Sequence, residues 1–189
     1  MTHKFAELAF TPAVRAAQEV MGSRQAYAKA ENGPVHHDRL GDAEVDFIAA
    51  RDSFYMASVS ETGWPYIQHR GGPPGFVKVI DEKTLGFADF RGNRQYVSLG
   101  NVAGNGRVAL FFMDYPHQAR LKLLGRARSV ALEAEPELIA RLAVPDYPAK
   151  IERGFIISVA AFDWNCSQHI TPRFTAADLS IATTPLFRD

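Results

Sequence analysis

Cysteine is almost missing: Cys166 is the only one in 189 residues. An internal disulfide is therefore excluded, and the chain suits a reducing cytoplasm. Charge of one sign is not in excess either. Lys and Arg together number 21 and Asp and Glu 21, so no global basic field draws in nucleic acid. Long hydrophobic runs are absent. The first residues include Lys4 and Glu7, so neither a signal peptide nor a membrane span is expected. Internal repeats, low-complexity segments and linkers are lacking too. What remains is a chain that is 47% hydrophobic, with 13 Phe, 6 Tyr and 2 Trp. That suffices for one domain with a real core, and the aromatics favour a β-rich interior or a pocket for a flat ligand.

Thr11-Pro12 reads as an N-cap followed by proline at the first helical position. Val14, Ala17, Val20, Met21 and Ala28 then recur at helical spacing until Asn32-Gly33-Pro34, which predicts one helix packed on the body. Asp42 is placed to cap a second short helix through Val45, Phe47 and Ile48. From Ser53 the period changes to that of strands. Ser53 to Ser60, Trp64 to Arg70, Phe76 to Asp81, Thr84 to Asp89, Arg107 to Tyr115, Arg120 to Leu132 and Phe155 to Trp164 all read as strands. Glu61-Thr62-Gly63 and Glu82-Lys83 are their turns, and Gly125 marks a bulge. Glu133 to Val144 is a helix with Leu138, Ile139 and Leu142 on one side. Six or seven strands joined by short turns predict a mainly β protein, a closed or nearly closed antiparallel barrel with flanking helices.

Four segments carry chemistry. In Phe87 to Asn105 a strand ends near Phe90, a polar turn follows, and a helix is predicted from Arg94 with Asn93 as its cap. Amides of a first helical turn beside Arg91, Arg94 and Gln95 suit a phosphate group. Gln68-His69-Arg70-Gly71-Gly72 ends a strand where glycine admits a close ligand. Lys78 stands alone in an apolar strand. Trp164 to Phe174 is dense in aromatics and hydrogen-bonding groups for a chain end. His36 and His37 lack a matched partner pair, so no metal is expected. No side chain is singled out as catalytic, and Cys166 beside polar neighbours reads as incidental.

This order of strand, Gly-rich turn, Val-Lys strand, hairpin, strand and Arg-led helix, with its aromatic and basic tail, resembles the pyridoxamine 5'-phosphate oxidase-like, FMN-binding split-barrel family. The likeness covers about residues 45 to 175 and points to an uncharacterised branch. It implies a single domain over 1–189, with N-terminal helices in 11–52, a six- to seven-stranded Greek-key split barrel over 53–164, and an active-site tail over 165–189. It implies that Arg94-Gln95 stands where the family has an Arg-Lys pair on the FMN phosphate, beside Asn93 and with Arg91 making up the lost charge. His69, Arg70, Gly71, Val77 and Lys78 would lie along the flavin, and Ala88 and Asp89 at its ring edge and ribityl chain. Arg120 would come from the neighbouring subunit of a homodimer, and Trp164, Gln168, His169 and Arg173 would close the site. The expected function is a cytoplasmic FMN-dependent oxidoreductase acting on a small substrate left open, because the tail departs from the order of Arg and His in the true oxidase. The alternatives are a flavin-binding protein without turnover, a haem-binding relative using His69 or His169, and a deazaflavin-dependent reductase.

Overall fold

The computed structural model describes residues 2–29, 31–32, 34–164, 167–176 and 178–179. The N-terminal part holds β1 (Thr2–His3), α1 (Lys4–Ala9), α2 (Pro12–Val20), α3 (Arg24–Ala28), β2 (Val35–His36) and α4 (Asp42–Ala49). Then come β3 (Ser53–Val59), β4 (Pro65–Gly71), β5 (Val77–Asp81), β6 (Thr84–Phe90), α5 (Val97–Gly104), β7 (Arg107–Asp114), β8 (Ala119–Ala131), α6 (Pro136–Leu142) and β9 (Ile151–Trp164).

β3 to β9 form one sheet in the order β4-β3-β7-β8-β9-β6-β5, antiparallel at every ladder. β4 and β5 follow one another in sequence yet lie at opposite edges. The connection between them, residues 72–76, spans at most about 20 Å. The sheet must therefore curl until its edges approach, which makes a barrel that is split between β4 and the β5–β6 hairpin. Alternation puts one residue in two inside. Phe54, Phe87, Phe112 and Phe155 form a continuous chain of rings there, with centroids 5.3 Å apart for Phe54–Phe87, 5.0 Å for Phe54–Phe112 and 5.4 Å for Phe87–Phe155. Met56, Leu110, Leu121, Leu123 and Ile157 fill the space around them. On the outside, α6 lays Leu138, Ile139 and Leu142 over Ala88, Val130 and Ile156. The register shifts between Leu124 and Gly125, the predicted bulge. A Cβ at Gly125 would stand 2.7 Å from the Ser158 carbonyl oxygen, so the strands approach too closely there for a side chain.

The helices depart from expectation more than the strands. Thr11 does cap α2, its hydroxyl accepting from the Val14 amide at 3.3 Å. Gly22, at φ +74°, then breaks the predicted single helix into α2 and α3. α2 buries none of its residues, and Val20 is 85% exposed, so the expected packing on the body is not found. Gly41, not Asp42, is the N-cap of α4, and its amide donates to Glu44 at 2.9 Å. No described helix is long and apolar enough to cross a membrane.

β1 and β2 pair in parallel and set His3 beside His36. Burial, then the neighbouring imidazoles, hold His3 and His37 below the ordinary histidine pKa, with Asp163 opposing. Both rings therefore favour the neutral form more than a free imidazole does.

Candidate functional site

Strand period decides which residues of β4 can meet a ligand. Tyr66, Gln68 and Arg70 point to the inner side of this edge strand, and Ile67 and His69 to the outer side. Arg70 reaches across the split: its Nη1 donates to Asp89 Oδ1 on β6 at 2.7 Å. Arg153 on β9 donates to the other oxygen of Asp89 at 2.9 Å. The Arg70 guanidinium also lies 5.5 Å from the centre of the Phe155 ring. Asp89 is only 8% exposed, so this triad closes one end of the barrel core.

Beyond β6 the chain makes a tight loop. Arg94 and Tyr96 both adopt left-handed backbone, at φ 62° and 54°. Such positions cost on the order of 1–3 kcal/mol each for residues other than glycine. Asn93 Oδ1 accepts from the Gln95 amide at 3.1 Å, so Asn93 caps this turn and not the helix. α5 starts at Val97, after Tyr96, three residues later than the sequence suggests. The physical reason is the left-handed pair, which no helix can accommodate. α5 is pinned to β3 by Asn101 Nδ2 donating to Ser58 Oγ at 3.0 Å, both buried. In its first turn Ser98 is buried, and its hydroxyl has no partner among the described residues.

Tyr66, Gln68, Arg70, Asp89, the loop from Gly92 to Tyr96, the start of α5 and Glu152 enclose a cavity of about 160 Å³. Inside it, the Tyr66 hydroxyl donates to Gln68. Arg94 Nε donates to the Tyr96 hydroxyl at 3.1 Å, which in turn donates to Glu152 Oε2 at 3.2 Å. That hydrogen bond to Tyr96, with the Glu152 carboxylate beyond it, holds the Arg94 guanidinium above its ordinary range. Arg91 Nε faces Glu152 at 3.5 Å. Arg70 and Arg94 line the cavity together with Asp89 and Glu152. Arg91 and Arg153, which are not in its lining, contact the same two carboxylates, so the local network holds more guanidiniums than carboxylates.

A second cleft, of about 450 Å³, lies on the outer face of β3, β4 and β7. Tyr55, Ile67, Phe111, Met113 and Tyr115 floor it, and Arg120, His169, Thr171 and Arg173 rim it. The tail is held there by Gln118 Nε2 donating to the Ile170 carbonyl at 2.6 Å and by Arg173 over Tyr115 at 4.8 Å. Arg120 Nε is buried and unpartnered among the described residues.

Of the residues picked from sequence, Arg70, Asp89, Asn93, Arg94 and Gln95 come together in the first cavity, and Arg120 and Arg173 in the second cleft. The others lie outside the first cavity. His69 faces outward against Tyr55, and Gly71 ends β4. Val77 is in the core, and Ala88 is covered by α6. Lys78 pairs with Gly86 on the face opposite Val77. Arg91 contacts Glu152 at 3.5 Å and is not in the cavity lining. Trp164 ends β9, edge-on to Phe47 at 4.8 Å, with its Nε1 donating to Glu44 at 2.6 Å. Gln168 is exposed in the tail, and Cys166 lies outside the described residues. Tyr66, Ser98 and Glu152 are not among the sequence candidates, and Gln68 enters only as the start of its segment. Once Arg70 is chosen, the strand period points to Gln68 and Tyr66; nothing in the sequence joins Glu152 to the loop.

A sequence profile of the pyridoxamine 5'-phosphate oxidase family matches residues 40–162. No curated protein matches the chain significantly. Among solved structures, HupZ of Group A Streptococcus is similar with a TM-score of 0.54 at 18% identity, over 71% of this chain and 99% of that one. A candidate pyridoxamine 5'-phosphate oxidase of Lactobacillus delbrueckii is similar with a TM-score of 0.51 at 16% identity, over 67% and 94%. At these identities the likeness is one of fold. The profile covers well over half of the sequence, and a split seven-stranded antiparallel barrel agrees with it, so this chain belongs to the pyridoxamine 5'-phosphate oxidase family.

Proposed function

We propose that the chain is a cytoplasmic FMN-dependent oxidoreductase that works as a homodimer on a small aromatic or heterocyclic substrate. The observation that carries this reading is the buried Ser98 hydroxyl, without a partner among the described residues, in a cavity that Arg70 and Arg94 line. Buried polar atoms without partners are rare, and this one stands in the first turn of a helix. The residues fit a phosphate group: Arg94, Gln95, the Ser98 hydroxyl and the free amides at the start of α5 would hold it. Gln95 supplies a neutral donor where the family has a lysine. Bound FMN would supply hydride or one-electron chemistry, while the chain supplies position and charge.

One protomer offers too little room. Cofactor and ligand pockets run from about 300 to 1,000 Å³, well above the first cavity. The second cleft lies on the opposite face of the same edge strand, with Trp64, Ile67 and Tyr55 exposed on that side of the barrel. A two-fold dimer would let one protomer's Arg120 and Arg173 complete its partner's site.

The purified protein is expected to show flavin absorption bands and to release a species of FMN mass on denaturation. A haem spectrum, a deazaflavin mass, or failure to take up added FMN would overturn the assignment. Reduction of the bound flavin by a nicotinamide donor distinguishes an enzyme from a carrier. Arg94→Ala should lose one charge-assisted phosphate contact, about 1.5–3 kcal/mol, or roughly 10- to 150-fold in FMN affinity. Arg128→Ala is the control, because Arg128 is exposed and paired with Glu135 at 2.5 Å. Equal retention of FMN by both variants counts against the loop as the phosphate site. Sedimentation of the FMN-loaded protein is expected to give a dimer, and a loaded monomer would remove the shared site.

A further inference from the structure

β1 and β2 are two residues each, too short to stabilise a sheet, yet they bring together three histidines far apart in sequence. His3, His36 and His37 each place a ring nitrogen within 4.8 Å of the others. His3 Nε2 and His37 Nδ1 are 2.5 Å apart. Nδ1 of His3 and Nδ1 of His36 are buried without a hydrogen-bond partner among the described residues. Asp163 stands behind the cluster, with Oδ1 at 3.2 Å from His3 Nε2 and Oδ2 at 2.9 Å from Lys122 Nζ.

Three half-buried imidazoles converge, and the Nδ1 atoms of His3 and His36 find no partner among the described residues, while His37 Nδ1 meets the His3 ring across a short contact. A cation among the three rings would satisfy both of those nitrogens and replace the short ring-to-ring contact with a shared ligand. The donor set narrows the choice: imidazole nitrogens suit zinc and its first-row neighbours, whereas calcium and magnesium require a shell of oxygens. A carboxylate that accepts from one nitrogen of a histidine leaves the other nitrogen to the metal and fixes the ring's orientation. Asp163 is placed for that part, and Lys122 holds it in turn.

We infer that His3, His36 and His37 form a binding site for a divalent transition-metal ion, assigned as zinc, with Asp163 orienting the His3 ring. The three ligands come from the N-terminal strand and from the end of β2, and Asp163 comes from β9. The His37 carbonyl already accepts from the Phe162 amide at 2.9 Å. The ion would therefore fasten the N-terminal segment to the barrel wall. It is a site apart from the cavity beside α5, and it stands whether or not the chain binds flavin.

The test uses the full untagged chain, stripped with a chelator and titrated with cobalt(II) and then zinc. Cobalt is expected to give the visible d–d bands of a four-coordinate site, saturating at one ion per chain, the fourth position being open to water. Zinc should bleach those bands and raise the melting temperature with a saturable dependence on its concentration. His36→Ala and His37→Ala should each abolish the bands while melting, metal-free, within a few degrees of the metal-free parent. Asp163→Asn should weaken cobalt binding by about 10- to 100-fold. His117→Ala, in an exposed turn, is the control and should bind as the parent does. Absence of the bands, their survival in both His36→Ala and His37→Ala, or their equal loss in His117→Ala would overturn the site.

Discussion

Asp89→Ala is expected to destabilise the folded chain by about 3–5 kcal/mol, because removing one partner of a buried ion pair leaves an uncompensated charge behind. Here Arg70 loses its carboxylate partner, and Arg153 keeps only Glu152, at 3.6 Å. Arg70 and Arg153 each donate to a different oxygen of Asp89, and both guanidiniums are largely buried. The position makes the loss worse. Among the described residues no ladder joins β4 to the β5–β6 hairpin, so the Arg70–Asp89 bridge is a main polar tie across the split. Urea unfolding at neutral pH measures it, with Arg128→Ala as the comparison. That exposed pair with Glu135 should contribute about 0–1 kcal/mol. Replacing the whole triad by apolar residues of similar size should recover much of the loss, since a well-packed core does not need the charges. A loss below about 1 kcal/mol for Asp89→Ala would show that the split is held by packing alone.

Strands were legible because their period and their turns say the same thing. Ser53 to Val59 and Pro65 to Gly71 alternate around a Gly63 turn, and the observed register follows, Ser53 opposite Gly71 and Val59 opposite Pro65. Helix starts were less so, because they depend on single backbone conformations. Asn93 looks like a helix cap until Arg94 and Tyr96 turn left-handed, which no residue type there announces. The same limit applied to the site. Arg70, Asp89 and Arg94 followed from the resemblance, but which neighbours share their cavity depends on the curl of the sheet. Ala88, adjacent to Asp89, faces α6 for that reason. Of the histidine cluster only the adjacent His36 and His37 are visible locally: a parallel pairing of two-residue strands brings His3 to them, and short parallel pairs leave no pattern in a sequence.

The stability of the chain is expected to fall in acid through Asp114, and Asp114→Ala to lower it by about 3–5 kcal/mol at pH 7. Arg51, just past α4, ties that helix to the end of β7. Its Nη2 lies 2.8 Å from Asp114 Oδ2, its Nη1 donates to the Met113 carbonyl at 3.3 Å, and its guanidinium covers the Phe47 ring at 4.8 Å. The other oxygen of Asp114 accepts from the His117 amide at 3.0 Å. Burial by itself would push the Asp114 carboxyl up, but the His117 amide and imidazole and the Arg51 charge outweigh it and hold the carboxyl below its ordinary range. A folded-state pKa below the unfolded one, about 3.9 for aspartate, fixes the sign. The stabilisation is fully present above the unfolded value and is lost as pH falls through the lower, folded value. The urea midpoint of the parent should therefore lie well above that of Asp114→Ala from pH 7 down to about 5, and the two should converge below about 3.9. His117 is 80% exposed in its side chain, so His117→Ala should move the curve far less than Arg51→Met does. A gap between parent and Asp114→Ala that stays constant into strong acid would assign the loss to packing at the α4–β7 contact and not to the carboxylate.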